Sequence, residues 1–210
     1  MSFATLEVPD NITLYYISAE DGDVYRTPLD AADSVKVFDL NSVEKDEFED
    51  PDTLAFLTSS ENSERVDLVA VLWREDQEMV TVPVVEDVAP ASAVAEISDR
   101  EKLSWGGWWG NYAAVSKLGA ASDSPWQFNA GGWALEGLRG TNEATGARAR
   151  FSVELPVARW PIRKAVQLPG DNVLFQLGPN QICLYDPIRD ELALVAKGRQ
   201  PVLVLGSDKE

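Results

Sequence analysis

The sequence predicts a mainly β protein with a minor α+β component, and three observations carry that expectation. Short runs of β-branched and aromatic residues recur along the chain, turn-forming Asp-Gly, Pro-Gly and Asp-Pro pairs separate them, and helix signals are confined to one stretch in the first half. The expected architecture is antiparallel hairpins with one or two short helices in the first half. A β-meander follows in the second half, as a sandwich, a barrel or blade-like sheets.

Ile12-Thr13-Leu14-Tyr15-Tyr16-Ile17 and Val24-Tyr25-Arg26-Thr27 flank Glu20-Asp21-Gly22-Asp23, which reads as a hairpin around an Asp-Gly turn. Metal binding by those turn acids is a distant second reading. Ser42-Val43-Glu44-Lys45 has the look of a helix N-cap, and Pro51 in first-turn position suggests a second short helix through Leu54, Phe56 and Leu57. Val66 to Trp73 and Met79 to Val85 form another expected hairpin. Its first strand is apolar at both alternate sets of positions and is the candidate central strand of this half. Residues 86–104 lose periodicity and aromatic content, so the chain divides into an acidic half over 1–88, a linker over 89–104 and a Trp-rich all-β half over 105–210. In that last part strand-like runs fall at 132–138, 147–155, 162–168, 172–177, 181–185, 191–196 and 201–205.

Charge follows the same division. Of 35 acidic residues, 25 lie in residues 1–101 with only 6 Lys and Arg, a formal charge of -19, whereas residues 102–210 carry 12 bases against 10 acids. A one-sided charge points to a surface that attracts a cationic partner. The densest run, Glu44 to Asp52, supplies Asp46, Glu47, Glu49, Asp50 and Asp52 as candidate partner-binding residues. Their spacing does not match a Ca²⁺ loop, so no metal is expected there.

Ser104-Trp105-Gly106-Gly107-Trp108-Trp109-Gly110 sets large flat rings beside backbone that can be approached closely. One reading is a structural plug; the other takes Trp108 and Trp109 as anchors for a partner or a glycan. The chain has no His, which excludes Ser-His-Asp and Cys-His nucleophilic systems and His-ligated zinc. The single Cys183 reads as a buried structural thiol. No phosphate-binding Gly-rich loop is present, and no cofactor is expected. Arg139, Arg148, Arg150, Arg159, Arg163 and Lys164 could form a nucleic-acid face, but the acidic neighbour opposes it; pairing with acids of the first half is the preferred use.

The expected function is therefore a non-catalytic cytoplasmic binding protein whose acidic surface docks on a basic protein, in the manner of inhibitors and immunity proteins. The alternative is a carbohydrate-binding or carboxylate-dependent carbohydrate-active β-domain using the Trp-Gly cluster, because two carboxylates with aromatic platforms are the one enzyme class this composition does not oppose. No long apolar run marks a membrane span, and no basic-then-apolar segment marks a signal peptide.

Overall fold

A computed structural model of the chain describes residues 11–30, 33–43, 53–73, 79–95, 113–119, 123–131, 138–151, 162–187 and 189–206. The protein is mainly β, and among the described residues helix is limited to short 3-10 turns such as Leu40–Ser42 and Ala91–Ala93. Two compact units form: one from Asp10–Glu96 together with Gly198–Glu210, the other centred on Ile97–Lys197. We call them the acidic unit and the neutral unit.

The acidic unit contains β1 (Ile12–Ser18), β2 (Val24–Pro28), β3 (Val35–Phe38), β4 (Thr53–Thr58), β5 (Arg65–Trp73), β6 (Met79–Pro90) and β7 (Val94–Ala95). The neutral unit contains β8 (Ala113–Ala114), β9 (Ser116–Lys117), β10 (Trp126–Ala130), β11 (Leu138–Asn142), β12 (Arg148–Phe151), β13 (Ile162–Gln167), β14 (Val173–Leu177), β15 (Gln181–Asp186) and the first part of β16 (Glu191–Leu205). The second part of β16 belongs to the acidic unit, where Gly198 to Leu205 run antiparallel to β1.

In the acidic unit one sheet takes the order β3-β2-β1-β16, with β7 also paired to β16, and a second takes the order β4-β5-β6. Every pairing is antiparallel. The two sheets share one core. Tyr15, Ile17, Val24, Val202 and Val204 from the first sheet join Leu54, Phe56, Val66, Leu68, Ala70 and Leu72 from the second. These positions alternate along each strand, as the two-residue period of a strand requires when one face is turned to a facing sheet. All seven residues of β1 are buried, so that strand is covered on both faces.

The neutral unit also packs sheet on sheet. The order β12-β11-β10-β8 faces the order β16-β15-β14-β13-β9, in which only the short β13–β9 pair is parallel. Phe128, Ala130 and Leu138 from one layer meet Ile162, Phe175, Leu177, Cys183 and Tyr185 from the other. The Pro169-Gly170-Asp171-Asn172 turn joins β13 to β14 with Gly170 at φ +81, a conformation only glycine adopts without strain.

Three expectations are corrected. The helix read through Leu54, Phe56 and Leu57 is strand β4: Leu54 and Phe56, two apart, both enter the core, a spacing that a strand meets and a helix does not. Ser42 closes a 3-10 turn instead of opening a helix at Val43, which is extended: the turn is capped by Asp39, whose carboxylate accepts from the Asn41 and Ser42 N–H groups, and residues 44–52, over which that first helix was expected to run, lie outside the described residues. The runs 191–196 and 201–205 form one strand, because the intervening Gly198-Arg199-Gln200-Pro201 makes a bulge in place of a turn. Tyr15 pairs with Val202 and Ile17 with Arg199, so Tyr16 stands opposite two residues, and Gln200 takes φ 55. Of the stretch read as a linker, residues 86–95 continue β6, make the Ala91–Ala93 turn and enter β7; residues 96–104 lie outside the described residues. No helix among the described residues is long and apolar enough to cross a membrane.

Candidate functional site

The division into units sharpens the charge asymmetry. Residues 10–96 and 198–210 hold 24 acids against 7 bases, a net of -17, whereas residues 97–197 hold 10 acids against 11 bases. The acidic unit alone thus matches the formal charge of the whole chain, -17. Its described carboxylates are largely on the surface: Glu20, Asp21, Asp30, Asp33, Asp39, Glu61, Glu64, Glu86 and Asp87 are all exposed.

One acid is an exception and explains how the β1–β2 turn is held. Asp23 at the end of the β1–β2 turn is 2% exposed. Its carboxylate accepts from Lys36 Nζ at 2.7 Å and from Asn41 Nδ2 at 2.9 Å, while the same Asn41 amide donates to the Asp21 carbonyl at 2.8 Å. Tyr25 OH donates to Asp21 Oδ2 at 2.8 Å. Burial pushes the Asp23 carboxyl up, but the hydrogen bonds from Lys36 and Asn41 and the Lys36 charge outweigh it and hold the group below the usual carboxylate range. The hydrogen bond from Tyr25 does the same for Asp21. This network ties β3 and the Leu40–Ser42 turn to the hairpin. The described chain stops at Val43, just after that turn, and resumes at Thr53, paired with Val71 in β5.

A pH dependence follows from Asp23. Its folded-state value is depressed, so its contribution to stability is present above the unfolded carboxylate value and is lost as pH falls through the folded one. Thermal melts between about pH 2 and pH 6 should show a falling acid limb, and Asp23→Asn should lower the melting temperature at neutral pH while flattening that limb. An unchanged limb would assign the acid sensitivity to other groups.

The predicted partner-binding residues Asp46, Glu47, Glu49, Asp50 and Asp52 lie outside the described residues, as do Trp108 and Trp109. Trp126 is half-buried and stacks on Phe128 with ring centroids 6.0 Å apart, which makes it part of the core of the neutral unit. Among the second-half bases, Arg139 and Arg148 are exposed, Lys164 is 8% exposed and Arg159 lies outside the described residues.

Chemistry elsewhere is bracing. In the neutral unit, Ser124 Oγ donates to Asp171 Oδ1 and accepts from the Trp126 N–H, and Gln167 Nε2 donates to the same Asp171 oxygen at 2.8 Å. Lys117 Nζ donates to the Ser124 carbonyl at 3.0 Å. The Ser124 hydroxyl is committed on both sides and joins the loop before β10 to the β13–β14 turn. Burial pushes the Cys183 thiol up to about 12, so it is not an available thiolate at neutral pH. No group of three or more Cys, Asp and Glu suited to a metal ion occurs among the described residues.

Sequence marks the acids of this turn only as turn chemistry and carries no local signal for the Asp23–Lys36–Asn41 network, because the burial of Asp23 depends on partners 13 and 18 positions further on. A scan against protein-family models, a search of curated proteins and a search of solved structures each returned no match.

Proposed function

We propose that this chain is a non-catalytic binding protein whose acidic unit docks on a basic protein partner, as inhibitors and immunity proteins do, and that it acts in the cytoplasm. The observation that carries the reading is the confinement of the net charge to one folded unit. A charge serving only to keep the protein dispersed has no reason to stop at the edge of a unit, whereas a field of one sign over one body steers a partner of opposite sign.

The test compares two variants of equal charge change against the basic protein retained by the immobilised chain at low salt. One carries Asp46→Asn, Glu47→Gln, Glu49→Gln, Asp50→Asn and Asp52→Asn; the other neutralises Glu20, Asp30, Asp33, Asp39 and Asp208. The first should slow association by about tenfold or more and the second by much less, because steering depends on charge near the contact. Equal, small effects from both sets would remove Glu44–Asp52 as the locus. A chain that retains no basic protein at low salt would remove the function itself.

A further inference from the structure

The four-stranded sheet of the neutral unit turns Trp126, Phe128, Ala130 and Leu138 to the core. The intervening positions make up its outer face, and the pairing aligns them in two rows: Asn129, Arg139 and Arg150 in one, Gln127, Thr141 and Arg148 in the other. β10, β11 and β12 together hold three Arg and no acid. Arg139 and Arg148 are exposed, and Gln127, Asn129 and Thr141 are part-exposed.

Most polar groups of this outer face are uncommitted, where bases elsewhere are engaged. Lys36 is bonded to Asp23, Arg65 to Asp87 and Lys117 to the Ser124 carbonyl, and Arg189 lies beside Asp186. Gln127, Asn129, Thr141 and Arg148, by contrast, make no side-chain hydrogen bond or ion pair among the described residues. The described acids closest in sequence to these strands, Asp123 and Glu143, are both exposed, and neither pairs with Arg148. Protection of a free sheet edge accounts for Arg on β12, the last strand in the order, but not for Arg139, which lies on β11 between two strands. Arg139 and Arg150 hold directly opposed positions, where like charges repel and an anion set between them would be attracted by both.

We infer that this outer face docks an extended acidic segment of a partner protein, one with carboxylates at alternate positions. Arg148 and Arg150 stand two residues apart along β12, about 7 Å, and the same two-residue repeat brings alternate side chains of an extended peptide to one face. A guanidinium holds a carboxylate through two N–H groups, and the Gln127 and Asn129 amides add further donors. Nucleic acid is the poorer occupant. The Trp126 and Phe128 rings belong to the core, so they give this face no stacking platform, and a chain of net charge -17 repels a polyphosphate along its whole length. The inference is independent of the docking proposed for the acidic unit, because it concerns the other unit and a partner of the opposite charge.

The test titrates the full chain with a peptide of about ten residues alternating Glu with Thr, at about 0.1 M salt, where charge more than roughly 10 Å away is screened. The peptide should bind and shift the amide resonances of β10, β11 and β12. Arg148→Glu should weaken it about tenfold, and Arg148→Gln by less. Lys197→Glu, an equal charge reversal at an exposed position of β16, should change it by less than about twofold, and all three variants should keep the wild-type melting temperature. Absence of binding, equal losses from the two reversals, or shifts outside these strands would overturn the inference. An oligothymidylate of equal charge that binds as tightly at the same amides would make this a nucleic-acid face and overturn it too. So would a wild-type dimer that Arg148→Glu converts to a monomer, since the face would then be a contact between copies.

Discussion

A fragment comprising residues 1–96 should fail to fold, although it contains β1 to β7. The missing piece is the end of β16, which runs beside β1 from Ile12↔Leu205 to Ser18↔Gly198 and pairs Leu203 and Val204 with Ala95 and Val94 of β7. Without it the fully buried β1 becomes a sheet edge, and Val202 and Val204 leave the core. Each buried Val contributes roughly 1.5–3 kcal/mol and the whole ladder is lost with them, so the deficit reaches the ~5–15 kcal/mol by which domains are stable. Far-UV circular dichroism of the fragment should show an unfolded chain, and a peptide of residues 198–210 added in excess should restore β signal. A cooperative melt from the fragment alone would show that β16 is dispensable to the acidic unit.

Gly198 should be the least replaceable glycine with a described environment. A Cβ there would lie 2.4 Å from Tyr16 Cδ2 and 2.6 Å from the Ile17 carbonyl oxygen. Neither neighbour can yield easily: the oxygen is backbone, and the Tyr16 ring is stacked on Tyr25 with centroids 6.1 Å apart and donates its OH to Ser34 Oγ at 3.0 Å. The ring covers the glycine at the bulge that bends β16, an arrangement that pins strand register. Gly198→Ala should cost about 3 kcal/mol, and lower the melting temperature by roughly 6–12 °C for a chain of this size. Gly170→Ala is the control. Its Cβ would meet nothing within 4 Å, so only the positive φ resists it, at about 1–2 kcal/mol. Equal losses from the two substitutions would contradict the close packing at Gly198.

The contrast between these sites shows what the sequence could and could not convey. Hairpins with local turns were legible: Asp21-Gly22 between β1 and β2, and the apolar, β-branched runs on both sides of the polar residues 74–78 between β5 and β6. In β4, Pro51 and the preceding acids imitate a helix start, while the strand is specified by the pairing of Leu54 with Ala70 and Phe56 with Leu68, contacts a local window does not contain. Gly198 and Pro201 likewise imitate a turn, yet β15 holds one side of β16 and β1 holds the continuation, so tertiary pairing overrides the local signal. The same limit applied to the site. Acid counts located the charge, but the burial of Asp23 exists only once the fold brings Lys36 and Asn41 to its carboxylate.

The central claim is that the charge of the acidic unit drives its association with a basic partner, and the rate of that association against ionic strength tests it most directly. Between about 20 mM and 500 mM salt the association rate constant should fall by at least about tenfold, because the Debye length shrinks from roughly 20 Å to about 4 Å, while dissociation changes much less. A rate constant that stays flat across that range would contradict the account.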